Sequence, residues 1–289
     1  MRATVRVRPI SFPLSMRRRS DYPNQRRGKF RIWPLIIFGL IFVYYQISYT
    51  KTVPMTGRSQ LVDISMEQER ALGLSSYKEM LGQVSVVPGG PEVERIRSIG
   101  KRIAAVTDSE GYDWEFNLIR SNDANAFALP GGKVAVYTGI LPVAQNDDGL
   151  AAVMGHEIAH AIARHGAERM TQNKLAQMGS LAVGMSVGDM DIQTRRMVMA
   201  AFGLGTQYGL MFPFSRKHES EADYMGLMFL ARACFDPTEA PKLWERMEQV
   251  SQGKRPPEFL STHPSPATRI QQFEQWMPEA LKVRQEHCG

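Results

Sequence analysis

The sequence predicts an α+β fold that is mostly helical, contains a small β-sheet and follows one N-terminal transmembrane helix. Apolar residues recur every three or four positions in several segments, which is typical of amphipathic helices. Between residues 114 and 139 the period changes to two, which indicates short strands. A length of 289 residues with 43% hydrophobic residues allows one sizeable domain plus appendages.

Positive charge is concentrated at the start of the chain. Residues 1–31 have a net charge of +9, whereas the remaining residues together have a net charge of −3. The body of the chain is therefore not basic, and we expect no nucleic-acid partner. We interpret residues 1–31 as a basic tail that precedes a membrane segment.

Residues 32–49 form an uncharged segment of 18 residues, which is close to the minimum for a bilayer-spanning helix. Its aromatic residues are placed like those of membrane interfaces: Trp33, Tyr44, Tyr45 and Tyr49. We expect a single-pass anchor in the lipid bilayer, with the N-terminus on the cytoplasmic side. A cleaved signal peptide is the alternative, and the Arg-rich, acid-poor start also fits a mitochondrial presequence.

The remaining chain is divided into a polar linker, residues 50–64, and one domain, residues 65–289. Ser65 and Gln68 have the spacing of a capping box that opens a first helix. An apolar stripe predicts a second helix packed on the core: Val93, Ile96, Ile99 and Ile103.

Two or three short strands are predicted within residues 114–139, with a tight turn at Pro130-Gly131-Gly132. Residues 170–214 are rich in Met, Gly and Ala, and we interpret them as buried helix because charged and polar residues leave no clean membrane span. Asp236-Pro237 is predicted to open a further helix, and Ser265-Pro266 a last one.

The residues most informative about function are His156-Glu157-Ile158-Ala159-His160. Histidines four apart on a helix face the same way and can bind one metal ion, and Glu157 can hold a water against that ion as a general base. Small apolar residues on both sides predict a buried helix, where His and Glu must be paired or coordinated. The pattern is typical of zinc-dependent peptidases, and we expect one Zn²⁺ per chain. The alternative is an exposed polar helix turn.

A catalytic zinc site needs a third protein ligand and one open position. Glu219 and Asp223 are four residues apart and share a helix face, whereas Glu221 points roughly opposite. We therefore predict Glu219 as the ligand and Asp223 as a hydrogen-bond acceptor for one of the two metal-binding histidines. The alternative is an exposed acidic helix start. His165 is expected to point elsewhere on the same helix as His160, as a residue that supports the metal ligands or packs beside them.

Four motifs resemble the membrane-associated gluzincin family of HtpX and CAAX prenyl endopeptidases. They are residues 125–132, residues 156–160, residues 219–223 and Thr262-His263-Pro264. The single predicted anchor makes the chain most similar to the BepA-type periplasmic and mitochondrial inner-membrane branches. The resemblance implies a zincin-like fold, peptide-bond hydrolysis, and quality control of misfolded or unassembled envelope and membrane proteins.

The resemblance also implies that His263 can occupy the open metal position and hold the enzyme at rest; simple packing in a rigid loop is the alternative. Asn125, Ala126 and Phe127 are expected to pair with an extended polypeptide substrate by strand addition, unless they form ordinary core sheet.

A non-hydrolytic chaperone or scaffold with a structural zinc is the rival function. An intact Glu157 argues against it, because a purely structural site has no use for a base. We expect the protein to be located in the bacterial inner membrane, with its catalytic domain in the periplasm. The alternative location is the mitochondrial inner membrane. The sequence determines neither the oligomeric state nor whether Cys234 and Cys288 pair.

Overall fold

The computed structural model describes residues 28–251, 259, 263 and 268–289. Most of the predicted basic tail lies outside the described residues, as do Ser265-Pro266 and the two neighbours of His263 in the Thr-His-Pro motif. The α-helices, numbered in chain order, are α1 (Trp33–Ser48), α2 (Met66–Leu81), α3 (Pro91–Ala104), α4 (Leu141–Ala144), α5 (Asp147–Ile162), α6 (His165–Ser186), α7 (Ile192–Thr206), α8 (Phe212–Arg232), α9 (Glu239–Ser251) and α10 (Arg269–Cys288). The strands are β1 (Thr50–Thr52), β2 (Ser59–Leu61), β3 (Glu115–Ile119), β4 (Ala126–Leu129) and β5 (Lys133–Tyr137).

The first two helices of the domain form as the sequence predicts. Ser65 accepts a hydrogen bond from the backbone N–H of Gln68, and the side chain of Gln68 accepts one from the backbone of Ser65, so the capping box is complete. In α3 the predicted apolar stripe is buried along its whole length. Hydrophobic burial of one helical face therefore orients α3 on the core.

The segment expected to be a linker contains an antiparallel hairpin of β1 and β2. Val53 and Val62 are buried, and the hairpin turn places Arg58 against two helices. The guanidinium of Arg58 contacts Glu168 of α6 and Glu221 of α8, each at 2.7 Å. These contacts fix the hairpin to the domain.

Helices α1, α6 and α7 lie side by side. In the described part of the chain, no helix has both the length and the apolar character needed to cross a membrane. The expectation of buried helix is wrong for α7, in which no residue is buried. Its composition is apolar, and its main neighbours among the described elements are α6 and the π-helical turn Gln207–Met211.

The three-stranded sheet has the order β3-β5-β4. β3 pairs with β5 in parallel, and β4 pairs with β5 in antiparallel orientation, with Phe127 opposite Ala135. All three strands fall in the predicted segment. Since β5 is central, β4 is an edge strand within the described residues, and it lies against α5.

Helix α5 is the centre of the core and packs against α3, α8, α9 and β4. Its closest neighbour is α8, and two glycines permit their approach. A Cβ on Gly226 would lie 3.0 Å from the backbone nitrogen of His156, and one on Gly155 would lie 2.6 Å from Leu230 Cδ1. A side chain at position 226 would press on the backbone of α5, whereas one at position 155 would displace the side chain of Leu230.

Cys234, just after α8, and Cys288, at the end of α10, form a disulfide with a Cα–Cα distance of 5.7 Å. The bridge closes a sequence separation of 54 residues. Closing a loop of this length restricts the unfolded chain and so favours the folded state.

We expect the double variant Cys234→Ser, Cys288→Ser to lower the free energy of unfolding by about 2–4 kcal/mol. Urea denaturation followed by circular dichroism measures this difference, with the wild type under reducing conditions as a control. Identical midpoints for the oxidised wild type and the double variant would contradict the stabilising role.

Candidate metal centre and active site

Helix α5 presents two histidines from successive turns toward one point. The helix begins at Asn146, whose side-chain oxygen accepts a hydrogen bond of 2.7 Å from the N–H of Gly149. His156 and His160 share a face as predicted, and their Nε2 atoms are 3.1 Å apart. Two ring nitrogens at this distance can both bind one cation once neither of them bears a proton.

Helix α8 supplies a carboxylate to the same point. Glu219 lies 3.4 Å from His156 Nε2 and 3.6 Å from His160 Nε2. His263 completes the group, with its Nδ1 3.2 Å from His156 Nε2 and 3.1 Å from Glu219 Oε2. One ligand atom from each of these four residues lies within 4.8 Å of the other three.

The geometry fits a tetrahedral metal ion. Zinc bonds of about 2.0–2.1 Å to nitrogen and oxygen place neighbouring ligand atoms about 3.3 Å apart in a tetrahedron. Five of the six separations between the ligand atoms are 3.1 to 3.6 Å, close to that value, and all four atoms lie within 4.8 Å of one another. Three imidazoles and one carboxylate also form a donor set that zinc prefers. These residues therefore form a candidate site for one zinc ion.

The outer nitrogen of His156 has the carboxylate partner expected from the sequence. His156 Nδ1 lies 2.9 Å from Asp223 Oδ1. Arg269 of α10 donates to Asp223 Oδ2 at 2.6 Å and to Glu219 Oε2 at 3.1 Å, and its guanidinium lies over the ring of Trp244. Arg269 is 1% exposed and was missed by sequence reasoning, because its position 46 residues beyond Asp223 has no local pattern.

His160 has a different neighbour. The expectation that His165 lies on the same helix is wrong, because α5 ends at Ile162 and Arg164 adopts a left-handed conformation with φ of 57°. The chain reverses there, and the guanidinium of Arg164 is held by Glu69 at 2.7 Å. His165 therefore opens α6 and turns back, with its Nδ1 2.8 Å from His160 Nδ1.

Glu157 lies beside the metal-binding group rather than in it. Its carboxylate accepts a hydrogen bond of 3.2 Å from the backbone N–H of Ala128, and its Oε1 lies 3.3 Å from His263 Nε2. Burial raises the pKa of Glu157 above its ordinary value. A raised pKa lies closer to neutral pH, and a general base is most effective when its pKa is near the pH at which the enzyme works.

Burial and neighbouring groups also shift the pKa values of the metal-binding side chains. Burial lowers the pKa of His160 well below its ordinary value, so its ring is neutral. Burial opposes ionisation of Glu219, but hydrogen bonds with His156 and His263 outweigh it and hold the pKa of Glu219 below its ordinary value. Despite burial, hydrogen bonds with Asp223 and Glu219 raise the pKa of His156 to about 9, so a metal must displace a proton there.

A groove of about 1090 Å³ opens over the site and gives it access to a polypeptide. Its lining includes Phe127 and Ala128 of the edge strand β4, together with Glu157, His160, Glu219 and His263. Of the residues expected to meet a substrate strand, Ala126 and Phe127 lie in β4 and Asn125 precedes it; Asn125 and Ala126 are buried, and Phe127 lines the groove. The groove and the strand edge therefore lie on the same side of the metal centre.

Residues 92–277 match the sequence model of Peptidase family M48. The chain belongs to peptidase family M48. This match covers β3, β4 and β5 and the helices that supply His156, Glu157, His160 and Glu219, and it identifies the chain as a metalloendopeptidase. The hairpin that contains Arg58 lies upstream of the matched M48 residues.

Curated relatives of this M48 peptidase come from mitochondria and bacteria. The Schizosaccharomyces pombe protein "Mitochondrial metalloendopeptidase OMA1" is 39% identical over 92% of this chain and 78% of its own length. The human "Metalloendopeptidase OMA1, mitochondrial" is 29% identical over 92% of this chain and 53% of its own length. The Escherichia coli "Beta-barrel assembly-enhancing protease" is 30% identical over 76% of this chain and 46% of its own length.

Proposed function

We propose that the chain is a zinc-dependent endopeptidase that hydrolyses peptide bonds in misfolded or unassembled membrane proteins. The position of Glu157 is the observation that supports this function most directly. The carboxylate is buried, adjoins the four metal-binding side chains and faces a groove bordered by a strand edge. A purely structural zinc site would have no use for a base or for a groove, which argues against a non-hydrolytic scaffold.

In this proposal His156, His160 and Glu219 hold the zinc ion, and Asp223 orients His156. A bound zinc ion would polarise the scissile carbonyl and lower the pKa of a water toward about 7. Glu157 accepts a proton from the attacking water and delivers it to the leaving amine. The edge of β4 around Ala126 and Phe127 aligns the substrate as an added strand, with Asn125 at its start.

We expect Glu157→Gln to lower kcat by about 10²- to 10⁴-fold, because the amide keeps the shape of the carboxylate but cannot accept the proton. Cleavage of a fluorogenic casein by the full chain at equal zinc content measures the effect. Glu79→Gln on the exposed face of α2 is the matched control. Equal rates for wild type and Glu157→Gln would discard the peptidase function.

His263 is proposed to act as a reversible fourth ligand that keeps the enzyme at rest. Its Nδ1 adjoins the other three ligand atoms, and its Nε2 adjoins Glu157, so it blocks both the open metal position and the base. The ring stacks on Phe259 at 4.6 Å and contacts His156, so it is positioned by packing as well as by polar contacts.

His263→Ala should raise basal casein cleavage by about tenfold, because the resting arrangement no longer competes with water and substrate. Initial rates at saturating casein measure this change, and His287→Ala at an exposed position is the control. Unchanged or reduced cleavage by His263→Ala would show that the side chain has only a packing role.

We infer that residues 32–49 hold the chain at a lipid bilayer. Large apolar side chains of α1 are exposed, with Leu40 at 68% and Ile47 at 79%. Leu181 of α6 and Met197 of α7 extend this exposed apolar surface across the neighbouring helices. Exposed apolar side chains on packed neighbouring helices are typical of membrane contact, and the basic tail that precedes α1 in the sequence favours anionic lipid.

We propose the mitochondrial inner membrane as the location rather than a bacterial one. The Arg-rich, acid-poor start supports this choice. The higher identity and coverage of the fungal mitochondrial relative, 39% compared with 30% for the bacterial one, also support it.

The double variant Leu40→Asn, Ile47→Asn should reduce co-flotation with vesicles of phosphatidylcholine and cardiolipin by at least about fivefold, because each amide costs free energy in the hydrocarbon. The control is Leu72→Asn, Leu74→Asn, which changes exposed leucines of α2. Equal flotation of the two double variants would contradict membrane contact through α1.

A further inference from the structure

A second group of buried polar side chains adjoins the metal centre and has no part in the mechanism proposed above. It consists of His165 and Glu168 on α6, and His218 and Glu221 on α8, each at most 7% exposed. Arg58 from the β1–β2 hairpin reaches both carboxylates. Burying a charged group costs free energy unless the group is paired. Specific contacts must therefore stabilise these side chains beside the metal ligand.

The ring nitrogens of His160 and His165 have assignable protons. His160 Nε2 faces the other metal-binding atoms, so its proton is on Nδ1, which lies 2.8 Å from His165 Nδ1. His165 Nδ1 must accept that proton, which places the proton of His165 on Nε2. From Nε2 it is donated to Glu221 Oε2 at 2.9 Å. Two successive hydrogen bonds therefore connect the metal ligand His160 to the carboxylate of Glu221 through the neutral ring of His165.

Glu221 is held in place by the hairpin. Arg58 Nε donates to Glu221 Oε2 at 2.7 Å, and the hydroxyl of Thr56 donates to Glu221 Oε1. The other nitrogens of Arg58 bind Glu168 at 3.0 and 2.7 Å. Both oxygens of Glu221 thus have donors, which fixes the carboxylate and keeps it ionised.

We propose that His165 and Glu221 position His160 for metal binding, and that Thr56 and Arg58 make the β1–β2 hairpin part of the metal centre. The arrangement parallels that of His156, whose outer nitrogen meets Asp223 directly. On α8, Glu221 points away from the side that holds Glu219, so an interposed imidazole is needed to reach His160. The proposal rests on the proposed metal site and concerns how one of its ligands is oriented. The orienting partners of a ligand histidine typically contribute 10- to 100-fold in metal affinity.

The zinc dissociation constant of the full chain, measured by competition with a chromophoric chelator, tests this role. Glu221→Gln keeps an oxygen that accepts from His165 but loses the charge, and we expect zinc binding about tenfold weaker. Glu221→Ala loses both and should bind about 100-fold more weakly. His165→Ala should resemble Glu221→Ala, whereas His165→Asn should recover part of the affinity because its amide oxygen can accept from His160.

Glu168→Gln is the matched control, because Glu168 is equally buried and binds the same Arg58, whereas its link to His165 is indirect, through His218, whose ring stacks on that of His165. Its zinc dissociation constant should stay within about twofold of wild type. The visible absorption of the cobalt-substituted protein should change only in the His165 and Glu221 variants, since it reports ligand geometry. Thermal unfolding of the metal-free proteins identifies variants that do not fold, which are then replaced by His165→Asn and Glu221→Gln.

Three outcomes are distinguishable. Weaker zinc binding and an altered cobalt spectrum in the His165 and Glu221 variants alone would support the positioning role. Equal losses of affinity in those variants and in Glu168→Gln, or no loss in any of them, would overturn it and leave the proposed peptidase function standing. A wild type that binds no zinc would instead overturn the proposed function itself.

Discussion

The close crossing of α5 and α8 is the constraint on which the metal centre depends. Two ligands lie on α5 and one on α8, so the distance between the helix axes sets the separation of the ligand atoms. Gly226 faces the backbone of His156, one residue from Gly155. A side chain at position 226 would press on the α5 backbone that bears His156, and ligand separations near 3.3 Å tolerate little displacement. The small residues are thus part of the site although they donate no ligand.

Buried charge is concentrated around this crossing and is compensated on both sides. On one side, Arg269 from α10 forms ion pairs with Asp223 and Glu219. On the other side, Arg58 from the hairpin forms ion pairs with Glu168 and Glu221. Removing one partner of a buried pair leaves an uncompensated charge that typically costs 3–5 kcal/mol. The helices that bear the ligands are therefore held together by ion pairs as well as by apolar packing.

Features that depend on spacing within one helix could be predicted from the sequence. The capping box at Ser65, the buried stripe of α3 and the shared face of His156 and His160 all follow from helical geometry over a few residues. Two features depended on long-range or irregular structure. Arg269 reaches Asp223 from a distant helix, and His165 reaches His160 only because the backbone reverses at Arg164. Neither event has a periodic signal in the sequence.

The β1–β2 hairpin has a practical consequence for anyone producing the catalytic part alone. The family match begins at residue 92, and a fragment trimmed to that boundary would lack both Thr56 and Arg58. Two carboxylates in its interior, Glu168 and Glu221, would then lose their guanidinium counter-ion. Recombinant fragments should accordingly start before Val53, or low yield and poor solubility will be mistaken for properties of the peptidase itself.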